Sequence, residues 1–226
     1  MPVETKFCGL TRPEDAAAGA AAGAAYLGVV FASGPRRVEP ARAREVFDAA
    51  SGAPVRRVGV FGRAAPAEVA SAACCAGLQI AQLHGDPAVE DVRAVREACG
   101  CEVWACVRLD PSDAALPTCF DELAVEADAI LLDTRVRGQL GGTGVALPWE
   151  RMAESIRQRL HAAVPGERRV RIVLAGGLTP ESVARAIECV APAVVDVSSG
   201  VERSPGIKDH ERMRAFVAAV RATSCA

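Results

Sequence analysis

Eight times along its 226 residues this chain repeats one unit: a short run rich in Val, Ile and Leu, a few turn residues, then a helical stretch. The apolar runs fall at 3–8, 25–31, 56–61, 78–83, 102–107, 128–133, 170–175 and 193–198. The helical stretches fall near 13–22, 40–50, 66–76, 87–98, 112–126, 149–161, 180–190 and 208–222. Regular alternation of strand and helix implies parallel strands joined by right-handed crossovers. Eight such units in a chain of this length predict a closed α/β architecture, a single (β/α)8 barrel. Half of the residues are hydrophobic, enough for a sizeable core, and no break in composition marks a second domain. Residues 1–226 are therefore read as one barrel domain.

Local signals support the helices. Thr11-x-x-Glu14 reads as a capping box with Pro13 in the first turn, and Pro180 follows a plausible cap at Thr179. Residues 16–35 carry no charge and contain Gly19-x-x-x-Gly23, a pattern also found in packed membrane helices. An Ala-rich helix followed by the strand AYLGVVF accounts for this stretch better than a membrane span. With 26 basic against 28 acidic residues, neither nucleic acid nor an anionic membrane is expected as a partner. The nine cysteines have no regular spacing and the N-terminus lacks a signal-peptide pattern, so reduced thiols and a cytoplasmic location are expected. No metal is expected: Cys99 and Cys101 lack the further ligands of a zinc site, and only His84, His161 and His210 are present.

A barrel of this kind carries its chemistry at the C-terminal ends of its strands. Those ends hold Cys8, Arg36 and Arg37, Phe61, His84, Arg108, Asp133, Gly176-Gly177 and Ser198-Ser199-Gly200. The glycines of AGGL (175–178) and SSG (198–200) follow strands seven and eight, where backbone N–H groups can gather around a phosphate; the bland alternative is ordinary turn glycine. Asp133 ends AILLD, where partial burial would raise its pKa and suit a general acid; a loop cap is the alternative. Cys8 is core filler by default. Strand alternation, however, puts it on one face with Glu4 and Lys6, and a nearby ammonium would favour the thiolate. Lys6 itself reads best as half of a buried ion pair, with Asp196 of strand eight as its partner. Arg36 could grip a carboxylate or stand solvated in its loop, and His84 could donate to a substrate or satisfy a loop carbonyl. Trp104 and Trp149 read as packing.

At these residues the sequence resembles the phosphoribosylanthranilate isomerases. KFCGLT, GVVFASGPRRV, VGVF, QLHG, LLDT…GGTG, LAGGLTPESV and VDVSSGVERSPGIKD follow in the family's order and spacing over almost the whole chain. The resemblance implies a barrel of the ribulose-phosphate-binding type and a cofactor-free Amadori rearrangement of N-(5-phosphoribosyl)anthranilate to 1-(2-carboxyphenylamino)-1-deoxyribulose 5-phosphate, a step of tryptophan biosynthesis. It implies Asp133 as general acid, Cys8 as general base and Arg36 as the holder of the anthranilate carboxylate. It places His84 and Asp196 along the substrate, and Gly176, Gly177, Ser199 and Gly200 around the phosphate. The expected partner is this small phosphosugar-anthranilate; the chain itself is expected as a monomer or homodimer.

Other readings fit less well. An indole-glycerol-phosphate synthase or a class I aldolase relies on lysines at strand ends, and only Lys6 and Lys208 occur. A metal-dependent epimerase needs a ring of histidines and carboxylates. A non-catalytic phosphosugar-binding barrel would keep the glycines and lose the acid and base.

Overall fold

In a computed structural model of the chain, which describes residues 2–110, 116–134, 149–163 and 170–223, eight parallel strands close into a barrel in sequence order. The strands are β1 (Glu4–Phe7), β2 (Tyr26–Val30), β3 (Arg56–Phe61), β4 (Ile80–Leu83), β5 (Glu102–Leu109), β6 (Ala129–Thr134), β7 (Arg171–Leu174) and β8 (Val194–Val197). The helices are α1 (Pro13–Ala22), α2 (Pro40–Asp48), α3 (Pro66–Ala76), α4 (Val89–Cys99), α5 (Cys119–Glu126), α6 (Trp149–Ala163), α7 (Val183–Val190) and α8 (His210–Thr223). The turn-rich stretch 135–144 and the predicted helical residues 112–115 lie outside the described residues.

Closure rests on β1 pairing with β8, with Lys6 opposite Asp196 and Phe7 opposite Val197. Alternation then sorts the side chains into two cores. One faces the helices and includes Phe7, Phe47, Phe120 and Phe216, all buried. The other fills the barrel with Tyr26, Val58, Ile80, Trp104, Leu131, Val173 and Val194. Tyr26 and Trp104 meet edge to face at 5.1 Å. Beneath them an ionic floor closes the N-terminal end. Arg171 bonds Glu102 at 2.7 Å and the Tyr26 hydroxyl at 2.9 Å, and Tyr26 in turn donates to Glu4 at 2.7 Å. Conserving chemistry at one end and stability at the other is the division this architecture imposes.

Several local expectations change. The Thr11–Glu14 capping box does not form: Arg12 is the N-cap of α1 and makes no side-chain cap bond. Thr11 instead donates its hydroxyl to the Gly206 carbonyl at 2.6 Å, 195 positions away. Helix α7 begins at Val183 rather than at Pro180, because Ser182 Oγ takes the Thr179 N–H at 3.0 Å and holds that segment as a turn. After β8 come a 3-10 turn (Ser199–Val201) and a small antiparallel hairpin, β9 (Glu202–Ser204) with β10 (Ile207–Lys208), where only a loop was expected. The uncharged stretch 16–35 divides between α1 and β2. No helix among the described residues is long and apolar enough to cross a membrane.

Candidate active site

The C-terminal mouth of the barrel opens into a cleft of about 550 Å³. Its lining contains Cys8, Arg36, His84, Asp133, Gly176, Gly177, Asp196, Ser199 and Gly200, whereas the strand-end residues Arg37, Phe61 and Arg108 lie outside it. Val30, Val60, Ala175 and Leu178 supply apolar wall between them.

Cys8 follows β1, its N–H donated to the Val197 carbonyl at 2.9 Å, so the closing strand pair fixes it. Gly28 on β2 makes its room: a methyl group there would stand 3.3 Å from Cys8 Sγ and 3.2 Å from Lys6 Cε. Lys6 is buried and its ammonium lies 2.6 Å from Asp196 Oδ2, the ion pair expected from the sequence. Burial opposes the ammonium, but the Asp196 carboxylate outweighs it and holds the Lys6 pKa above the ordinary value. Lys6 favours the Cys8 thiolate as expected, but the net shift runs the other way. Burial pushes the thiol up, and Asp196 adds to this, against the pull of Lys6 and Lys208. Lys6 is the strongest pull toward the thiolate, yet with Asp196 beside it that pull does not offset the loss of water. Asp196 Oδ1 is buried and makes no bond among the described residues, leaving an acceptor in the cleft wall.

Asp133 stands across the mouth at the end of β6, beyond β7 and β8 from Cys8. Its Oδ2 is 3.2 Å from His84 Nε2. Burial opposes a charge on His84, while the Cys106 sulfur and Asp133 favour one; the balance sets its pKa well above the ordinary 6.5. Burial also pushes the Cys106 thiol up, against the pull of His84. On the far side, the Gln82 amide nitrogen is 3.2 Å from His84 Nδ1, and Gln82 Oε1 is buried without a partner. Turned end for end, that amide would accept from a charged ring instead of donating to a neutral one. The sequence reading passed over Gln82, although its period-two position before His84 places both on the inner face.

Around the other half of the cleft, Gly176 and Gly177 have φ of +87° and +66°, a left-handed pair that side-chain-bearing residues rarely adopt. Gly200 packs its Cα against the same loop, with no space for a methyl group. Two glycine-rich segments are thereby drawn together at the ends of β7 and β8, where exposed N–H groups can take a phosphate. Arg36 reaches the cleft with its fork engaged by Glu202, at 2.8 and 2.7 Å. Among the described residues no cluster of His, Cys, Asp or Glu is arranged to hold a metal ion.

The profile of one family, N-(5'-phosphoribosyl)anthranilate (PRA) isomerase, matches residues 5–219. The chain belongs to that family. An N-(5'-phosphoribosyl)anthranilate isomerase of Pseudomonas aeruginosa (strain UCBPP-PA14) is 43% identical over 98% of this chain and 97% of its own. One of Rubrobacter xylanophilus is 42% identical over 96% and 98%. Among solved structures, the phosphoribosyl anthranilate isomerase of Thermotoga maritima superposes with a TM-score of 0.81 at 32% identity, covering 97% of this chain and 99% of that one. That of Thermus thermophilus gives 0.78 at 36% identity, with the same coverage. The barrel is thus a PRA isomerase, an enzyme of tryptophan biosynthesis, and Cys8, Asp133 and the glycine loops line one cleft at its mouth.

Proposed function

We propose that the cleft isomerises phosphoribosylanthranilate with Asp133 as acid and Cys8 as base. The observation that carries this is their shared cleft: a carboxyl from β6 and a thiol from β1 face one space that also holds the glycine loops of β7 and β8. Support for the ligand class comes from a relative, a phosphoribosyl anthranilate isomerase 32% identical to this chain and solved with reduced 1-(o-carboxyphenylamino)-1-deoxyribulose 5-phosphate.

The phosphate sits between Gly176-Gly177 and Ser199-Gly200, which leaves the sugar spanning the mouth. Asp133 gives a proton to the ribose ring oxygen as the C1–O bond breaks, and the anthranilate nitrogen lone pair closes the iminium. The His84–Asp133 pair keeps one proton between its two members, and His84 resupplies what Asp133 delivers. Cys8, once its thiol has released a proton to solvent at the open mouth, takes the C2 proton as the thiolate. The C–H electron pair forms the C1–C2 double bond, and the iminium pair returns to nitrogen. Burial disfavours that thiolate, and the cationic iminium formed in the first step is the partner that stabilises it. The resulting enolamine tautomerises to the ketone. Asp196 lines the cleft with one oxygen on Lys6 and the other buried without a partner, an acceptor for a sugar hydroxyl. Arg36 meets the aryl carboxylate.

The eight described cysteines are free thiols, which supports a cytoplasmic site of action. A dimeric phosphoribosylanthranilate isomerase is known from Thermotoga maritima. This chain is read as a monomer or homodimer, which sedimentation velocity distinguishes.

The test supplies phosphoribosylanthranilate, made in situ because it is unstable, and follows the loss of its anthranilate fluorescence. Turnover by the parent protein, abolished in Cys8→Ala and in Asp133→Ala, is the expected result. Near-normal turnover in Cys8→Ala overturns the assignment of the base.

A further inference from the structure

The segment VERSPGIKD folds into the β9–β10 hairpin, and two of its four charged side chains, Glu202 and Lys208, turn inward. Glu202 and Lys208 have side chains 4% and 0% exposed, which is costly for charged groups unless they are paired. They are paired with each other, Lys208 Nζ to Glu202 Oε1 at 2.7 Å, and Lys208 donates a second bond to the Ser198 carbonyl at 3.1 Å. Glu202 spends both oxygens again on Arg36, taking Nε at 2.8 Å and Nη2 at 2.7 Å. The hairpin that carries them is anchored. The Lys208 N–H is donated to buried Asp15 at 3.2 Å, and Thr11 holds the Gly206 carbonyl at its tip.

A guanidinium has five N–H donors in a plane. Bonding through Nε and Nη2 consumes its side edge and leaves the end edge, one N–H of Nη1 and one of Nη2, parallel and able to take a second carboxylate bidentately. Two further features fix the direction in which that edge points. The loop that carries Arg36 is pinned by the Val38 N–H on the Val30 carbonyl at 2.9 Å. The side-chain stem lies across Gly9, where a methyl group would come 2.5 Å from Arg36 Cδ. Arg36 is held by backbone, by glycine and by an anion, more than a solvated loop arginine needs.

We propose that Glu202, locked in place by Lys208, is a positioning residue for the aryl carboxylate: it fixes Arg36 side-on and thereby presents the guanidinium end-on to the substrate. This rests on the reading of Arg36 as the carboxylate's partner. The triad also sets the charge. An arginine, a lysine and a glutamate together leave one positive charge, matched to one carboxylate. Burial already pulls the Lys208 pKa below its ordinary value against the help of Glu202. Glu202→Gln removes the side-on carboxylate that orients Arg36.

The experiment measures dissociation constants by calorimetry for two ligands: reduced 1-(o-carboxyphenylamino)-1-deoxyribulose 5-phosphate, and its phenylamino counterpart without the carboxylate. In Glu202→Gln the carboxylated ligand is expected to weaken about tenfold, equivalent to about 1.4 kcal/mol. The counterpart is expected to bind as it does to the parent. An equal loss for both ligands, no loss, or tighter binding of the carboxylated one overturns the proposal. Should Glu202→Gln fail to fold, the same ratio is read in Glu202→Gln/Lys208→Met, which leaves no buried ammonium without an anion. A parent protein that binds neither ligand overturns the functional reading itself, whereas a parent that binds both, with a ratio the substitution does not move, overturns only the role of Glu202.

Discussion

Replacing Gly200 with alanine tests the phosphate site most directly. Gly200 lies in the 3-10 turn after β8, and its backbone conformation is one that alanine accepts. The added methyl group is the whole perturbation. It would come 1.9 Å from the Leu178 carbonyl oxygen, 3.0 Å from that carbonyl carbon and 3.3 Å from Thr179 Cα. All three are backbone atoms, so no side chain can swing away. Real contacts of this kind do not fall below 3.0 Å, so the two loops must separate by at least 1.1 Å. Neither yields freely: Ala175 N–H is tied to the Leu132 carbonyl at 2.8 Å, and Arg212 Nε to the Gly200 carbonyl at 3.0 Å. A displacement of about 1 Å in a group that positions substrate costs about 100-fold in rate, or about 2.7 kcal/mol of transition-state stabilisation. The fluorescence assay is expected to show kcat/KM lowered by about that factor, mostly through KM, because the phosphate is gripped in ground and transition states alike. Gly52→Ala, where the methyl group meets open space, is the control and should leave kcat/KM unchanged. A folded Gly200→Ala protein within about threefold of the parent would refute the placement of phosphate between these loops.

Other expectations are independent of that site. Cys8→Ser and Asp133→Asn should each lower kcat by about 10²–10⁴-fold, with thermal midpoints near the parent's; a near-parental rate in either variant removes that residue from the chemistry. His84, whose folded pKa is raised, contributes stability that is complete below its unfolded value of about 6.5 and is lost as pH rises through the folded value. Urea midpoints should therefore fall with pH above about 6.5 in the parent and fall less in His84→Asn; parallel curves would contradict the imidazolium–Asp133 pair. Phe216, fully buried on α8 with its ring centroid 6.3 Å from that of Phe7, should cost about 3–5 kcal/mol as Phe216→Ala, read by urea unfolding.

The barrel was legible because its signal is local and repeated. Each strand announces itself by a short apolar run, and eight runs in order leave one closed arrangement. The same logic located the site: once strand ends are known, Cys8, Asp133 and the paired glycines are known to share a rim. Inward and outward faces follow from a period of two, which is why the Lys6–Asp196 pair could be named in advance.

Partners across long separations were another matter. Thr11 sits in a pattern that reads as a helix cap, yet the chain spends its hydroxyl on Gly206, because barrel closure brings the first and last loops together. Arg36 read as either a grip for a carboxylate or a solvated loop arginine; its partner, Glu202, stands 166 positions away on a hairpin whose residues have no strong strand pattern. The direction in which the Cys8 thiol shifts is likewise a tertiary quantity. Lysine two residues away suggests a thiolate, but Asp196 has already claimed that lysine and the surrounding barrel removes water. Periodicity and turn chemistry act within a few residues, so the sequence alone determined the barrel and the residues at its mouth. Desolvation and ion pairing depend on which distant groups closure brings into contact, and only the folded barrel decided those.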